Sequence, residues 1–483
     1  MRSTCSFVLA ASLAVAVVRA QGTAGDTSFT IRYKGLTLTP IGFVAAEAAF
    51  RSRNETADIA TAFNAIPFTH TTNARLTEFR ASARQSRFGV LAGGEVGTTK
   101  LAAYVDVDFL SAGTTSNSIE SNSYTLRLRQ VWAEADFADG LAFVGGQMWS
   151  LLTSNKDGIG PHLDDIPLTI DAQFNVGYDW ARQWAVRVTQ DFSNRVWLAL
   201  AAEAPQMTFG GHGLPAQAFV GNPGGSQLNP TAVYSTDVAP DVIAKIAYEP
   251  PGFGHFEVKA IGRLFRDRVV DPSCTLSARC SFTATRAAGG VGVGFWGRFT
   301  HKTRDVLEIG LDGLWGAGIG RYGTSLLLDA TARPDGTVVP VRAAHALLSI
   351  VAHPTRNLDI YAYAGTEYAY RAAFTTVTAG TATGVGYGSP LFSNAGCETE
   401  LPVTGPFTPG VPGAGTNPPC TGDTRDLWEC TLGLWYSFYR GSAGRVAWGL
   451  EYHYVSKNTW AGVGGQPQAI DNMAFTSFRY YLP

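Results

Sequence analysis

No apolar run beyond the N-terminus of this 483-residue chain approaches the ~20 residues that a membrane-crossing helix requires. Helix-period stripes are equally scarce, which argues against a helical bundle. Charge is sparse and balanced, at 16% charged residues and a net charge of −2, so no basic field exists to hold nucleic acid. None of the patterns G-x-S-x-G, H-E-x-x-H or a phosphate-binding P-loop occurs, and the eight histidines are scattered without ligand spacing. Cysteines show no Cys-x-x-Cys. Neither a cofactor nor a metal is expected, and the chemistry of an enzyme is not written in the chain.

What the sequence has instead is a rhythm. In Lys100 to Leu110, Leu101, Ala103, Val105, Val107 and Phe109 occupy one face, while Lys100, Tyr104, Asp106 and Asp108 occupy the other. A period of two makes a strand with one apolar and one polar face. Sixteen such segments are expected, near 36–52, 76–92, 99–110, 122–137, 141–149, 181–191, 195–204, 238–249, 255–267, 285–299, 305–317, 341–352, 358–371, 424–439, 445–457 and 471–482. The connections alternate in length. Tight ones include Gly93-Gly94-Glu95, Ala138-Asp139-Gly140 and Arg440-Gly441-Ser442; long ones cover 53–75, 150–180, 205–237, 268–284, 318–340 and 372–423. An even number of strands with short turns on one side and long loops on the other is the pattern of bacterial outer-membrane barrels. The expected fold is therefore all-β: a transmembrane antiparallel barrel of about 16 strands, with short periplasmic turns and long extracellular loops. Its partner is the lipid bilayer of a Gram-negative-type outer membrane, where backbone polar groups are satisfied only if the sheet closes.

Residues 1–20 read as an export signal: Arg2, an apolar core from Phe7 to Val18, and a small-x-small site at Val18-Arg19-Ala20. Residues 21–35 are then a short periplasmic segment and 36–483 the barrel. Export makes disulfides permissible, so Cys274 is expected to pair with Cys280 and Cys397 with Cys420, each closing one connection; Cys430 is left unassigned.

The segments Ala83-Arg84-Gln85-Ser86-Arg87-Phe88-Gly89, Leu126-Arg127-Leu128-Arg129-Gln130-Val131-Trp132-Ala133-Glu134 and Gly145-Gly146-Gln147-Met148-Trp149-Ser150 together resemble the DcaP-like trimeric porins. The match spans residues 80–150, and the coiled-coil extension of that family is not evident before Gly35. The resemblance implies a homotrimer of sixteen-stranded barrels that passes small, often anionic, hydrophilic solutes.

Selection in such a pore needs a wall of fixed charge and a loop folded into the lumen. The wall candidates are Arg84, Arg127, Arg129 and Arg187, with Arg87 on the other parity. Arginine stays charged and holds carboxylate or phosphate through a planar fork. The same arginines are alternatively partners of Asp106, Asp108 or Glu134, lining the lumen without selecting anything. A parity break after Arg129 calls for a β-bulge. The loop candidate is 151–178, whose Asp164 and Asp165 would face the basic wall and set up a transverse field. With Asp157 they are also candidates for a hard cation, although the D-x-D-x-D-G spacing is missing. An outer-membrane enzyme or a substrate-specific channel is the rival reading; the first would need a Ser/His pair at the lipid-facing rim, and His453 falls on the inward parity.

Overall fold

The computed structural model describes residues 29–111, 124–215, 218–219, 237–271, 274, 280–301, 304–400 and 419–483. The export signal expected at 1–20 lies outside the described residues, as does most of the segment 21–35. The short strand Ile31–Tyr33 folds back on the start of the barrel, with Ile31 opposite Leu38.

Sixteen antiparallel strands close on themselves. They are β1 (Leu36–Arg51), β2 (in two pieces, Glu78–Ser82 and Arg87–Val96), β3 (Thr99–Asp108), β4 (Arg127–Asp136), β5 (Leu141–Trp149), β6 (Arg182–Phe192), β7 (Val196–Glu203) and β8 (Asp241–Tyr248). The second half continues with β9 (His255–Val270), β10 (Ser281–His301), β11 (Arg304–Ala317), β12 (Arg342–Thr355), β13 (Leu358–Ala369), β14 (Thr424–Gly441), β15 (Gly444–Thr459) and β16 (Gln468–Tyr481). Each strand pairs with the next, and β16 returns to β1 from Phe43↔Tyr481 to Arg51↔Met473. No sheet edge is left facing lipid, which is what a spanning sheet requires.

The faces are inverted relative to a water-soluble protein. Leu101 and Val105 point outward and are exposed, whereas Ala102, Tyr104, Asp106 and Asp108 point in and are buried. The same holds around the circumference: Val186, Leu200, Val258, Val293, Leu348 and Leu432 are exposed, while Arg187, Glu257, Lys259, Arg263, Glu367 and Glu429 are buried. An apolar band of this extent is incompatible with water and requires lipid. The inward charges are laced into pairs such as Lys245–Glu257 at 3.1 Å, Arg263–Asp241 at 3.0 Å and Arg479–Glu47 at 2.6 Å.

Two expectations need correction. Gly93-Gly94-Glu95 is not a turn: Gly93 and Gly94 pair with Ala102 and Leu101, and the chain reverses at Gly97-Thr98, where Gly97 takes φ +63°. Glycine is permissive in a strand, so a Gly-Gly pair does not by itself end one. The connections 53–75 and 318–340 also differ from the exposed loops expected, because both fold into the barrel mouth. They join the 151–178 connection there, the third on the extracellular side once the shorter 109–126 connection is counted. Ile59, Phe63 and Ile66 from the first, Ile170, Phe174, Val176 and Tyr178 from the third, and Leu327 from the later one share a single buried apolar cluster. The lumen is thus partly filled by a hydrophobic core of its own.

Both cysteine pairs are disulfides, Cys274–Cys280 and Cys397–Cys420, and Cys430 is free and exposed on the outer face of β14.

Candidate pore constriction

A loop carried into a barrel brings backbone N–H groups with no ladder to join, and each must find an acceptor. Residues 151–178 find theirs on inward carboxylates of the wall. Leu151 N–H donates to Glu203 (2.7 Å), Asn155 to Glu257 (2.9 Å), Ile170 and Asp171 to Glu451 (2.9 and 3.1 Å), Val176 to Glu429 (2.7 Å) and Gly177 to Glu367 (3.0 Å). Charge-assisted bonds of this kind are stronger than neutral ones. Glu203, Glu257, Glu367, Glu429 and Glu451 of the wall are thus anchors for the loop. The first connection ties in through Thr61 N–H to Asp171 (3.1 Å), and the later one through the Thr324 hydroxyl, whose single proton is shared between the Asn175 carbonyl (2.6 Å) and Glu367 (2.9 Å). At the other side of the lumen, His162 packs against Trp132 and Tyr104, with ring centroids 4.3 and 5.3 Å apart.

Beside that contact lies a group of arginines. The ladder between β3 and β4 shifts register at Asp106/Val107, so Arg129 and Gln130 both turn inward, and Gln130 N–H donates to Asp106 (2.8 Å). This is the bulge that the parity break calls for. Arg127 holds Asp108 with both Nε (2.9 Å) and Nη2 (2.7 Å). Arg129 spans the two acids, reaching Asp106 at 3.1 Å and Asp108 at 2.9 Å. Arg87 Nε lies 3.8 Å from Asp106. Arg182, which alternation puts with outward Trp184, is carried over the rings of Trp149 (5.2 Å) and Trp180 (5.3 Å) as its strand leaves the loop. It feels the like charges of Arg129, Arg127 and Arg87, and its Nε and Nη1 are buried without a hydrogen-bond partner among the described residues. Four guanidiniums therefore surround two carboxylates. Strand parity misses Arg182; Trp180, two residues before it in sequence, was the available signal, and Trp149 is its cross-strand partner on β5.

The other sequence candidates lie elsewhere. Arg84 sits at the break in β2, paired with Asp58, donating to the Phe109 carbonyl (2.9 Å) and stacked on Tyr124. Arg187 donates to the Trp149 carbonyl at 2.8 Å and braces the start of the inward loop. Asp165 lies 3.5 Å from Lys156 of its own loop, and Asp164 bridges to Asn155. The partners of Arg127 and Arg129 are thus Asp106 and Asp108 on the adjacent strand, not Asp164 and Asp165. Among the described residues no cluster of His, Cys, Asp or Glu is arranged to hold a metal ion.

A closed antiparallel barrel, apolar outside, charged inside and narrowed by inward-folded loops, defines an integral outer-membrane β-barrel of the channel type. The structure is similar to the outer membrane channel DcaP of Acinetobacter baumannii, with a TM-score of 0.61 at 16% identity over 94% of this chain and 99% of that one. OprB of Pseudomonas putida gives 0.48 at 12% identity (91% and 94% covered), and an anion-selective porin from Comamonas acidovorans 0.46 at 8% (92% and 100%). At these identities the likeness is one of fold. No family model and no curated protein matches the sequence.

Outside the membrane, two extracellular loops clasp each other. His212 N–H donates to the Gly386 carbonyl (2.8 Å), Gly386 N–H returns to the His212 carbonyl (2.9 Å), and His212 Nε2 lies 3.1 Å from Asp423. The Asp423 hydrogen bond raises the His212 pKa above its ordinary value, against the opposing effect of partial burial. The imidazolium contact is fully present below about pH 6.5 and is lost as pH rises through the raised value. The protection factor of the Gly386 amide, corrected for the intrinsic pH dependence of exchange, is expected to fall across that window in the native protein and to be flat in His212→Asn. The imidazole is half exposed, so the effect is modest.

Proposed function

We propose that this protein is a passive channel for small hydrophilic solutes, with a preference for anions set where Arg87, Arg127, Arg129 and Arg182 meet Asp106 and Asp108. The observation that carries this reading is the excess of guanidinium over carboxylate at one level of the lumen, where Arg127 is partly exposed and the buried Arg182 adds its charge. A carboxylate or phosphate passing there finds charge and a planar fork already oriented. The pore makes and breaks no covalent bonds in this reading. Reconstitution in a planar bilayer tests it: stepwise conductance is expected, with a reversal potential in a KCl gradient of the sign given by chloride passing ahead of potassium. Absence of steps from correctly folded barrel would reject the channel.

The working assembly in this reading is a homotrimer. An outward groove of about 940 Å³ at the break in β2 has Ala46, Ala48, Ala81, Ala83 and Thr476 beside the larger Arg84, Phe88, Phe109 and Tyr124. Small side chains there support close approach of a second barrel. Ala46→Trp is expected to convert the trimer to monomer on unheated gels while leaving the barrel folded; an unchanged trimer would place the contact elsewhere.

A further inference from the structure

The inward loops leave water access along one arc of the wall. Glu203 on β7, Lys259 on β9, Glu367 on β13 and Glu451 on β15 are buried beneath them. Arg127, Glu134 and Asp136 on β4, Lys100 on β3 and Glu95 on β2 face inward and keep solvent access. β4 therefore lines the path from end to end. Arg127 and Arg129 stand toward its extracellular end, and Glu134 and Asp136 stand beside the periplasmic turn at Ala138-Asp139-Gly140.

The two ends carry opposite charge. Above, the guanidiniums outnumber Asp106 and Asp108. Below, the carboxylates are in excess: Lys100 stands between Asp136 on one side and Glu95 on the other, while Glu134 lies between Ala102 and Val144. Glu95, Glu134 and Asp136 form no hydrogen bond or ion pair among the described residues. Other bases near this mouth are engaged or lie beyond the wall. Arg187 is buried and donates to the Trp149 carbonyl (2.8 Å), Arg440 lies 3.5 Å from Asp359, and Arg445 sits over the Tyr481 ring. Arg32, Lys34 and Arg195 are exposed in the N-terminal hairpin and a turn, as Asp139 is. Arg129 and Glu134 are about 16 Å apart along the strand at ~3.3 Å per residue, roughly twice the screening length at physiological salt. The two zones thus keep separate fields.

We propose that the pore is a rectifier, in which the arginine zone and a second selectivity zone of Glu95, Glu134 and Asp136 act in series. The proposal rests on the channel reading. Fixed charge lining a narrow path favours its counterion, so anions carry current in the upper zone and cations in the lower. With the periplasmic side positive, anions enter from outside and cations from the periplasm, and both gather where the zones meet. The opposite polarity draws both away and depletes that junction. Conductance is therefore higher with the periplasmic side positive.

The test is the instantaneous single-channel current of the reconstituted barrel at equal and opposite voltages, in symmetric KCl of about 0.1 M near pH 9, where carboxylates and guanidiniums are ionised. Orientation is read from Cys430→Ser/Ser442→Cys, biotinylated in the exposed turn between β14 and β15 and probed with streptavidin from one chamber. The native pore is expected to pass roughly twofold more current with the periplasmic side positive, falling toward equality in about 1 M salt. Glu134→Gln/Asp136→Asn is expected to bring the ratio close to one and to move the reversal potential further toward anions. Glu134→Asp/Asp136→Glu is expected to keep the native ratio. Conducting native pores with equal currents, or with the larger current at the other polarity, would overturn the proposal and leave the channel reading standing. Unchanged rectification in the amide variant would also overturn it, since the lower zone would not be the source. Absence of steps from folded barrel would reject channel and rectifier together. The native ratio decides without any variant, and heat-modifiable migration checks that the variants fold.

Discussion

Gly365→Val is expected to raise single-channel conductance and lower thermal stability while leaving the sixteen-stranded wall closed. Gly365 faces inward on β13, and a Cβ there would overlap the carbonyl oxygen of Val176 on the inward loop. On either side of that contact, Val176 and Gly177 donate to Glu429 and Glu367. Overpacking a core typically costs about 1–3 kcal/mol, and a side chain at the obstacle can usually turn aside. Here the obstacle is backbone, so the loop must lift from the wall and give up those charge-assisted bonds as a unit. Lifting it widens the lumen on that side. The measurement is conductance in a planar bilayer beside the unfolding midpoint. If conductance is unchanged and the Val176 and Gly177 amides remain protected from exchange, the loop does not limit flow.

Arg127→Gln/Arg129→Gln is expected to move selectivity toward cations. Removing both guanidiniums leaves Arg87 and Arg182 against Asp106 and Asp108, which cancels the local excess of positive charge. A unit charge at ~4 Å in water is worth about 1 kcal/mol, or about fivefold in the local occupancy of a counterion. The reversal potential in a KCl gradient should shift accordingly, and more strongly in dilute salt, where screening is weaker and the field of the fixed charges reaches farther. Because Arg127 and Arg129 are also the partners of buried Asp106 and Asp108, the variant should be less stable as well. The further substitution Asp106→Asn/Asp108→Asn separates the two effects: it relieves the unpaired carboxylates and returns selectivity toward anions. An unaltered reversal potential in a folded double variant would assign these arginines to structural pairing alone.

Much of the wall was legible because its signal is local. A strand facing the lumen on one side and lipid on the other writes a period of two into eight residues, as Leu101 to Asp108 shows. The bulge at Arg129 announced itself as a break in that same period. The two disulfides were legible because each closes a single connection. Arg182 was not, since its parity matches outward Trp184 and only its contacts with Trp180 and the cross-strand Trp149 draw it inside.

The sequence by itself determined the barrel, its strand number, its inverted faces and, Arg182 apart, the arginines of its constriction. Where the loops go was decided only in three dimensions. Nothing local in 53–75 or 318–340 separates a solvent-exposed loop from one packed inside, because the groups that satisfy them are distant along the chain. Thr61 meets Asp171, Ile170 meets Glu451, and Thr324 meets Asn175. The charge of the constriction has the same origin. Alternation places Arg127 and Arg129 inward, but which carboxylates neutralise them depends on the register of β3 against β4, and strand register is a property of the pair.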